Sequence, residues 1–442
     1  MDFLIKAAQL ILSLAILVVL HEFGHYLAAR FFKIRVEKFY LFFNPWFSLV
    51  KKKIGDTEWG IGWLPLGGYV KIAGMVDESM DKEQLAQPVQ PWEFRSKPAW
   101  QRLIVMIGGV VVNMIVGVLI YMFVVFGWGE EQIHTKDLSA GLSIHPYMEK
   151  FDLRSGDNIL EINGKEVTHI NDINNGILLR DEYNLKVQRP DGKIETIKLP
   201  EGVEYDLFEN GAFPAISLRS TAVIDSVNPK KEGAKAGFKK GDVFVSIGGK
   251  KVLSDEIITE MKPNAGEKVD VVVKRDGKEL TLTPTISKEG TIGIVFNAHK
   301  LIDESKIRQV DYSFGQSFSR GIVRGYTTLS DYVGQMKFLF TKKGASSIGG
   351  FGAIGNMFPA AWDWEKFWLN TALISIILAF MNILPIPALD GGHVVFLIYE
   401  MVRGKEAPQK VLETAQYIGF FILMGLLLYA NGNDIYRLIT GG

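Results

Sequence analysis

The chain has 442 residues, 49 basic and 49 acidic side chains and no Cys. Its length suggests two to four structural units. The charge balance leaves no global electrostatic case for a nucleic-acid partner, and the lack of Cys excludes disulfides, thiolate metal sites and thiol catalysis. The apolar residues, 48% of the total, crowd at the two ends, and the middle is as polar as a soluble protein. The pattern predicts a membrane protein with a large water-exposed insert.

A bilayer crossing needs about 20 largely apolar residues. The first candidate runs from Phe3 to Phe32, interrupted by Lys6, His21, Glu22, His25 and Arg30. The second, Leu103 to Trp128, is uncharged. The third, Phe367 to Tyr399, has only Asp390 and His393 as ionisable residues and is broken by Pro385, Pro387, Gly391 and Gly392. The fourth spans about Val411 to Ala430, with Glu413 near its start. Lys33, Arg35, Lys38 and Lys51 to Lys53 follow the first span. Positive residues stay on the cytoplasmic side, so the N-terminus is expected outside. That orientation is opposite to a cleavable signal. Residues 33–102 and 401–410 then face the cytoplasm and 129–366 face outward.

Residues 130–300 contain a repeat offset by 85. Gly156-Asp157 recurs as Gly241-Asp242, Ile162-Asn163-Gly164-Lys165 as Ile247-Gly248-Gly249-Lys250, Val167 as Val252, and Asp191-Gly192 as Asp276-Gly277. Each copy reads as short strands punctuated by tight turns, followed by a helix. The pattern resembles a PDZ domain, in which a peptide adds as a strand to a sheet edge. The second copy matches better, since Ala236-Gly237-Phe238 has no clear counterpart in the first. Beyond it, Phe314, Phe318, Ile322, Leu329, Val333, Met336 and Phe340 share one helical face. That helix is expected to lie on the membrane surface or to pack on the second PDZ-like unit. The Gly-rich residues 348–355 read as a flexible connection.

His21-Glu22-Phe23-Gly24-His25 is an H-E-x-x-H motif. Residues four apart on a helix share a face, so both imidazoles can reach one metal. Glu22 beside them can accept a proton from an attacking water. Ionisable residues inside a span are costly and usually functional, and His21 lies 12 residues, about 18 Å of helix, before Lys33. A catalytic zinc usually takes a third protein ligand. The other intramembrane cluster, Asp390-Gly391-Gly392-His393, offers Asp390, with His393 as a rival ligand or supporting residue. Irregular backbone around Pro385 and Pro387 is tolerated at membrane depth where it lines a cavity.

H-E-F-G-H in the first span, with Asn382-Ile383-Leu384-Pro385-Ile386-Pro387-Ala388-Leu389-Asp390-Gly391 in the third, resembles the site-two protease family of intramembrane zinc metalloproteases. Gly109 to Asn113 matches that family's G-x-x-x-N pattern, and residues 60–72 match its membrane re-entrant β-loop. The resemblance implies a polytopic α-helical membrane protein of four transmembrane helices with two inserted PDZ-like β-rich domains. Its parts would be 1–128, the PDZ-like units 129–211 and 212–300, an amphipathic juxtamembrane region 301–366, and 367–442. It further implies Zn2+ on His21, His25 and Asp390, with Glu22 as general base. Substrate contacts would come from Asn382, Asn113, Gly67, Gly68 and Tyr69, the last three on an edge strand. Implied substrates are single-span proteins of the bacterial inner membrane. They include an anti-sigma factor already trimmed on its outer side, whose cleavage serves an envelope stress response, and remnant signal peptides. A membrane zinc transporter or a non-enzymatic PDZ scaffold would share several of these features but would not need Glu22. Two tandem units of about 85 residues, each with a radius of gyration near 12 Å, suggest a filter against bulky substrates. The charge pattern predicts that a reporter active only outside the cytoplasm is active when fused near Asn297. Activity of a cytoplasm-only reporter at that position would reject the four-span topology.

Overall fold

The computed structural model describes residues 2–75, 87–300 and 307–440. Residues 301–306 of the expected juxtamembrane region lie outside the described residues. The chain divides into two compact units, residues 1–130 with 311–442 and residues 131–310.

A helix satisfies its own backbone hydrogen bonds, so long apolar runs in lipid become helices. The first unit contains α1 (Asp2–Phe31), strands β1 (Val36–Phe43), β2 (Val50–Ile54), β3 (Thr57–Ile61) and β4 (Leu64–Ile72), and then α2 (Ala99–Trp128). After the insert come α3 (Phe314–Leu339), α4 (Phe351–Asn356), α5 (Trp364–Ile383), α6 (Asp390–Arg403) and α7 (Gln409–Thr440). Among the described residues, α1, α2, α5 and α7 are the helices long and apolar enough to cross a membrane. The third apolar stretch thus resolves into one candidate span, α5, and a shorter helix, α6. Pro385 and Pro387 interrupt the helix between them, because proline lacks the N–H and clashes with the preceding turn.

α2 is central to the unit. Small residues let membrane helices approach closely, and here they do. A Cβ on Gly24 of α1 would lie 2.4 Å from the Gly108 carbonyl oxygen. A Cβ on Gly117 would lie 2.6 Å from Ile376 of α5, and one on Gly321 of α3 would lie 2.9 Å from Met122. Both ends of α2 are tied by charge. Arg102, largely buried, pairs with Glu400 and, at 3.2 Å, with Glu406. Glu130 receives Arg320 at 3.3 Å and Arg324 at 3.4 Å.

Residues 314–339 are helical, but their packing face is not the apolar one. Phe314, Phe318, Ile322 and Val333 are 46% to 58% exposed, whereas Ser317, Gly321 and Gly325 are buried. The small residues pack against α2; of the apolar face, Leu329 packs inward and Phe314 touches Phe126, while Phe318, Ile322 and Val333 stay exposed, as a hydrocarbon solvent would allow. The Gly-rich stretch also differs from a flexible connection. It forms α4, whose start is anchored by α7: Asp434 accepts the N–H of Gly350 at 3.0 Å and of Ala353 at 3.1 Å, and Asn431 accepts that of Phe351 at 3.2 Å.

The four strands form a sheet in the order β2–β3–β1–β4, so β4 is an edge. β4 runs antiparallel to β1, with Tyr40 opposite Tyr69 and Leu41 opposite Gly68.

Residues 131–310 hold two hydrophobic cores. The first is built on β5 (Leu142–Ile144), β6 (Asn158–Ile162), β7 (Asn184–Gln188), β8 (Ile194–Lys198) and β9 (Ile216–Leu218). Ala212, Ala215 and Ile216 belong to it and β9 pairs with β5, so the first core reaches past residue 211. The second uses β10 (Ser220–Val227), β11 (Val243–Ile247), β12 (Val271–Arg275), β13 (Lys278–Leu282) and β14 (Ile294–Lys300), in the order β13–β12–β11–β10–β14. The strand edges differ. In the first core Asn174, on the helix Ile170–Leu179, donates to the Ile216 carbonyl at 2.7 Å and accepts the Ile216 N–H at 3.1 Å. A side chain therefore takes the β9 backbone groups that an added strand would use.

The repeated Gly-Asp pair has one job in both copies. Asp157 accepts the Arg154 N–H at 2.8 Å and is met by Arg189 at 2.7 Å. Asp242 accepts the Lys239 N–H at 2.9 Å and two Arg275 hydrogen bonds, at 2.6 and 2.7 Å. Burial pushes the Asp242 carboxyl up, but the Arg275 guanidinium and the Lys239 N–H outweigh it and hold it below the usual range. A depressed carboxyl stabilises the fold above its unfolded value of about 3.9. That contribution is lost as pH falls through the lower, folded value. Arg275→Ala, which leaves the buried carboxylate unpaired, should destabilise the second core by about 3 kcal/mol. Hydrogen exchange in β11 and β12 of the full chain would read this as faster exchange, and exchange unchanged from wild type would contradict it.

Candidate metal centre

The H-E-x-x-H residues lie on α1, one turn apart, so His21 and His25 project from the same face. Their Nε2 atoms stand 3.2 Å apart. Asp390 Oδ2 lies 3.2 Å from His21 Nε2 and 3.4 Å from His25 Nε2. Zinc bonds of about 2.0–2.1 Å at the tetrahedral angle place ligand atoms about 3.3–3.4 Å apart, so the observed triangle fits one face of a tetrahedron. The donor chemistry agrees. Asp390 Oδ2 is buried and accepts no hydrogen bond, and an uncompensated buried carboxylate oxygen is costly. Three such donors facing one point are satisfied together by one cation. His21, His25 and Asp390 could hold zinc and leave a fourth position open.

α2 completes the surroundings. His25 Nδ1 is 2.8 Å from the Val105 carbonyl oxygen, to which it donates, leaving Nε2 as the free lone pair. Asn113, fully buried, lies 3.3 Å from His21 Nδ1. Gly109 sits between them. A Cβ there would come within 2.5 Å of His25 Nε2 and 2.6 Å of His21 Cε1, so the G-x-x-x-N pattern leaves room for both rings.

The broken segment delivers the third candidate ligand. Leu384 ends α5, Leu389 caps α6, and Asp390 is the first residue of α6. Ala388 has φ +77°, the left-handed region that non-glycine residues seldom adopt. The turn is tightly enclosed. A Cβ on Gly391 would lie 2.1 Å from the Leu384 carbonyl oxygen, and one on Gly419 of α7 would lie 1.7 Å from that of Pro387.

A cavity of about 270 Å³ opens here, lined by Val18, His21, Glu22, Phe43, Gly67, Gly68, Asn113, Leu378, Asn382, Ala388, Leu389 and Asp390. Glu22 shares it with His21 and Asp390. Asn382 Nδ2 is 3.4 Å from His21 Nε2, so its amide faces the same point. Gly67 and Gly68 bring the backbone of edge strand β4 to the cavity. A Cβ on Gly68 would lie 2.9 Å from Val18 of α1. The structure does not bring the Tyr69 ring there: it stacks on Tyr40 with centroids 5.4 Å apart, and its hydroxyl donates to Asn44 at 3.0 Å. His393 lies elsewhere, 3.1 Å from Gln416, in a separate cavity lined also by Arg102 and Glu400. Sequence reasoning missed Val18, Phe43 and Leu378, apolar residues that carry no chemical signature. It also missed Val105, which acts through its backbone.

The family model for peptidase family M50 matches residues 9–426. The chain is 28% identical over 476 residues to the regulator of sigma E protease of Haemophilus influenzae, covering 99% of this chain and 100% of that protein. It is also similar to two proteins provisionally named zinc metalloproteases. The one from Vibrio cholerae is 28% identical over 462 residues, with 99% and 100% coverage. The one from Neisseria meningitidis is 27% identical over 454 residues, with 97% and 98% coverage.

Zinc occupancy of the purified protein checks the ligand set. Asp390→Ala should lower it far more than His393→Ala, and the reverse ranking would make His393 the ligand. Gly109→Ala should also lower it, by pushing a methyl group into both rings.

Proposed function

The chain belongs to peptidase family M50, and from that premise we propose that it hydrolyses peptide bonds of single-span membrane proteins at the α1–α6 metal centre. One observation carries the reading. Three donors converge on one point, and two of them, His21 and Asp390, share a single cavity of about 270 Å³ with Glu22 and the backbone of an edge strand. A metal carrier or a scaffold has no use for that combination.

Zinc held by His21, His25 and Asp390 supplies a Lewis acid that polarises a carbonyl and acidifies water. The rest of the chemistry belongs to the chain. Glu22 takes the proton of the attacking water and returns it to the leaving amine nitrogen. Asn382 offers its side-chain N–H to the scissile carbonyl, where negative charge develops. A peptide bond inside a helix is shielded by its own hydrogen bonds, so the substrate must be extended before attack. β4, an edge strand among the described residues with Gly67 and Gly68 at the cavity, offers its backbone to an unwound segment. The Tyr69 ring supports that strand by stacking on Tyr40.

The name of the Haemophilus influenzae relative supports a substrate in sigma-factor control. An outwardly trimmed anti-sigma factor fits an enzyme that cuts within the bilayer, and remnant signal peptides fit the same site. The basic residues after α1 support an inner-membrane enzyme with residues 131–310, read as two PDZ-like units, on the outer side.

Glu22→Gln tests the assignment. Cleavage of a single-span substrate by the purified enzyme should fall by about 10²–10⁴-fold, with zinc content unchanged. Retained cleavage would remove Glu22 from the mechanism, and loss of zinc would make it part of the ligand set.

A further inference from the structure

We propose that Asn113 is a positioning residue of the metal centre: its side-chain carbonyl accepts the Nδ1–H of His21 and so fixes that ring for metal binding. The proposal rests on the reading that His21 binds zinc through Nε2, and it assigns Asn113 to the ligand rather than to substrate.

His21 has two ring nitrogens whose surroundings differ. Its Nε2 is the atom that faces Asp390 Oδ2 at 3.2 Å and His25 Nε2 at 3.2 Å. A neutral imidazole that gives the Nε2 lone pair to a metal carries its proton on Nδ1. That N–H needs an acceptor, because it is buried. The neighbour of His21 Nδ1 is the Asn113 amide, 3.3 Å away and fully buried. As oriented, the Asn113 nitrogen faces the ring while its oxygen, also buried, accepts no hydrogen bond. Two donors would then oppose each other. The two ends of an amide have the same shape, so the hydrogen-bond network decides which is which. Half a turn about the last side-chain bond puts Oδ1 on the ring and leaves the packing unchanged.

The spacing along α2 supports the same assignment. Rings whose Nε2 atoms converge on one point direct their Nδ1 atoms apart. Acceptors on a neighbouring helix must therefore be farther apart than the rings themselves. His21 and His25 are four residues apart on α1, about 6 Å, and Val105 and Asn113 are eight apart on α2, about 12 Å. Val105 already serves His25 at 2.8 Å. Gly109 lies midway, where a side chain would strike both rings. One face of α2 thus carries an acceptor, a gap and an acceptor in register with the two imidazoles. Hydrogen bonds of this kind hold a metal-binding imidazole in one tautomer and one orientation.

The test measures zinc affinity of the full-length protein by chelator competition, beside ring ¹⁵N spectra of its zinc-loaded histidines. Asn113→Leu keeps the branched shape and removes the acceptor. It should weaken zinc binding by about 10–100-fold and shift the His21 ring resonances. Asn113→Asp keeps an acceptor and should bind zinc at least as tightly as wild type. An Asn113 that only bridges helices would lower thermal stability and leave zinc affinity intact. Wild-type affinity with unshifted His21 resonances in Asn113→Leu overturns the proposal. Should that variant fail to fold, the wild-type spectrum decides alone, since a proton on His21 Nε2 overturns it. His21→Ala is the control: retention of zinc there would defeat the ligand assignment itself.

Discussion

The distance between α1 and α2 governs the rest of the first unit. Two helices of ordinary side chains pack 8–10 Å apart, too far for a backbone carbonyl and a short amide on one to reach imidazoles on the other. Gly24 against Gly108, and Gly109 beneath the two rings, remove the side chains that would hold them apart. Packing and chemistry are therefore the same constraint at this crossing. The residues that let the helices touch are also the ones that let Val105 and Asn113 face His25 and His21.

Rigidity follows from the ties at both ends of α2. Arg102 is held by Glu400 and Glu406 near its start, and Glu130 by Arg320 and Arg324 just past its end. Exposed pairs of this kind contribute little to stability, but Arg102 is largely buried, where a lost partner would leave a costly charge. The pairing with Glu400 joins α2 to α6, the helix that begins with Asp390. The third candidate donor is thus fixed to the helix that orients the first two. Peptide hydrolysis gains most when reacting groups are held in place beforehand, and this connection supplies that hold from outside the cavity.

Much of the site was legible because it uses side chains with strong chemical signatures. Two histidines four apart with an adjacent glutamate, and an aspartate in a Pro- and Gly-broken apolar run, stand out where charge is costly. The helix break at 384–389 was equally legible, since proline has few alternatives inside a span. Contributions made through backbone or bulk were not. Val105 acts through a carbonyl that every residue has, and Val18, Phe43 and Leu378 only shape the cavity. The packing of α3 was misleading for a different reason. Apolar periodicity marks the buried face in water, but in lipid the apolar face can be the exposed one, and Ser317, Gly321 and Gly325 made the contact instead. The anchoring of α4 was hidden too, because it depends on Asn431 and Asp434 about 80 residues away.

Strand edges carry the last distinction. An unpaired edge attracts any extended chain, so proteins cover edges they do not use. β9 is short and Asn174 occupies both backbone groups of Ile216. β4 shows the opposite treatment. It ends its sheet, runs nine residues and brings two adjacent glycines to the metal cavity. Glycine is a poor strand former, so two in succession weaken β4 unless close approach of another backbone or of α1 requires them. Gly68 meets that condition on one side, against Val18 of α1. Gly67 has φ +139° and faces Phe43 across the cavity wall, so a side chain there would be strained and would narrow the opening. Among the described residues β4 thus remains the thin edge of its sheet beside three convergent donors, which suits the proposed extension of a substrate segment before it is cut.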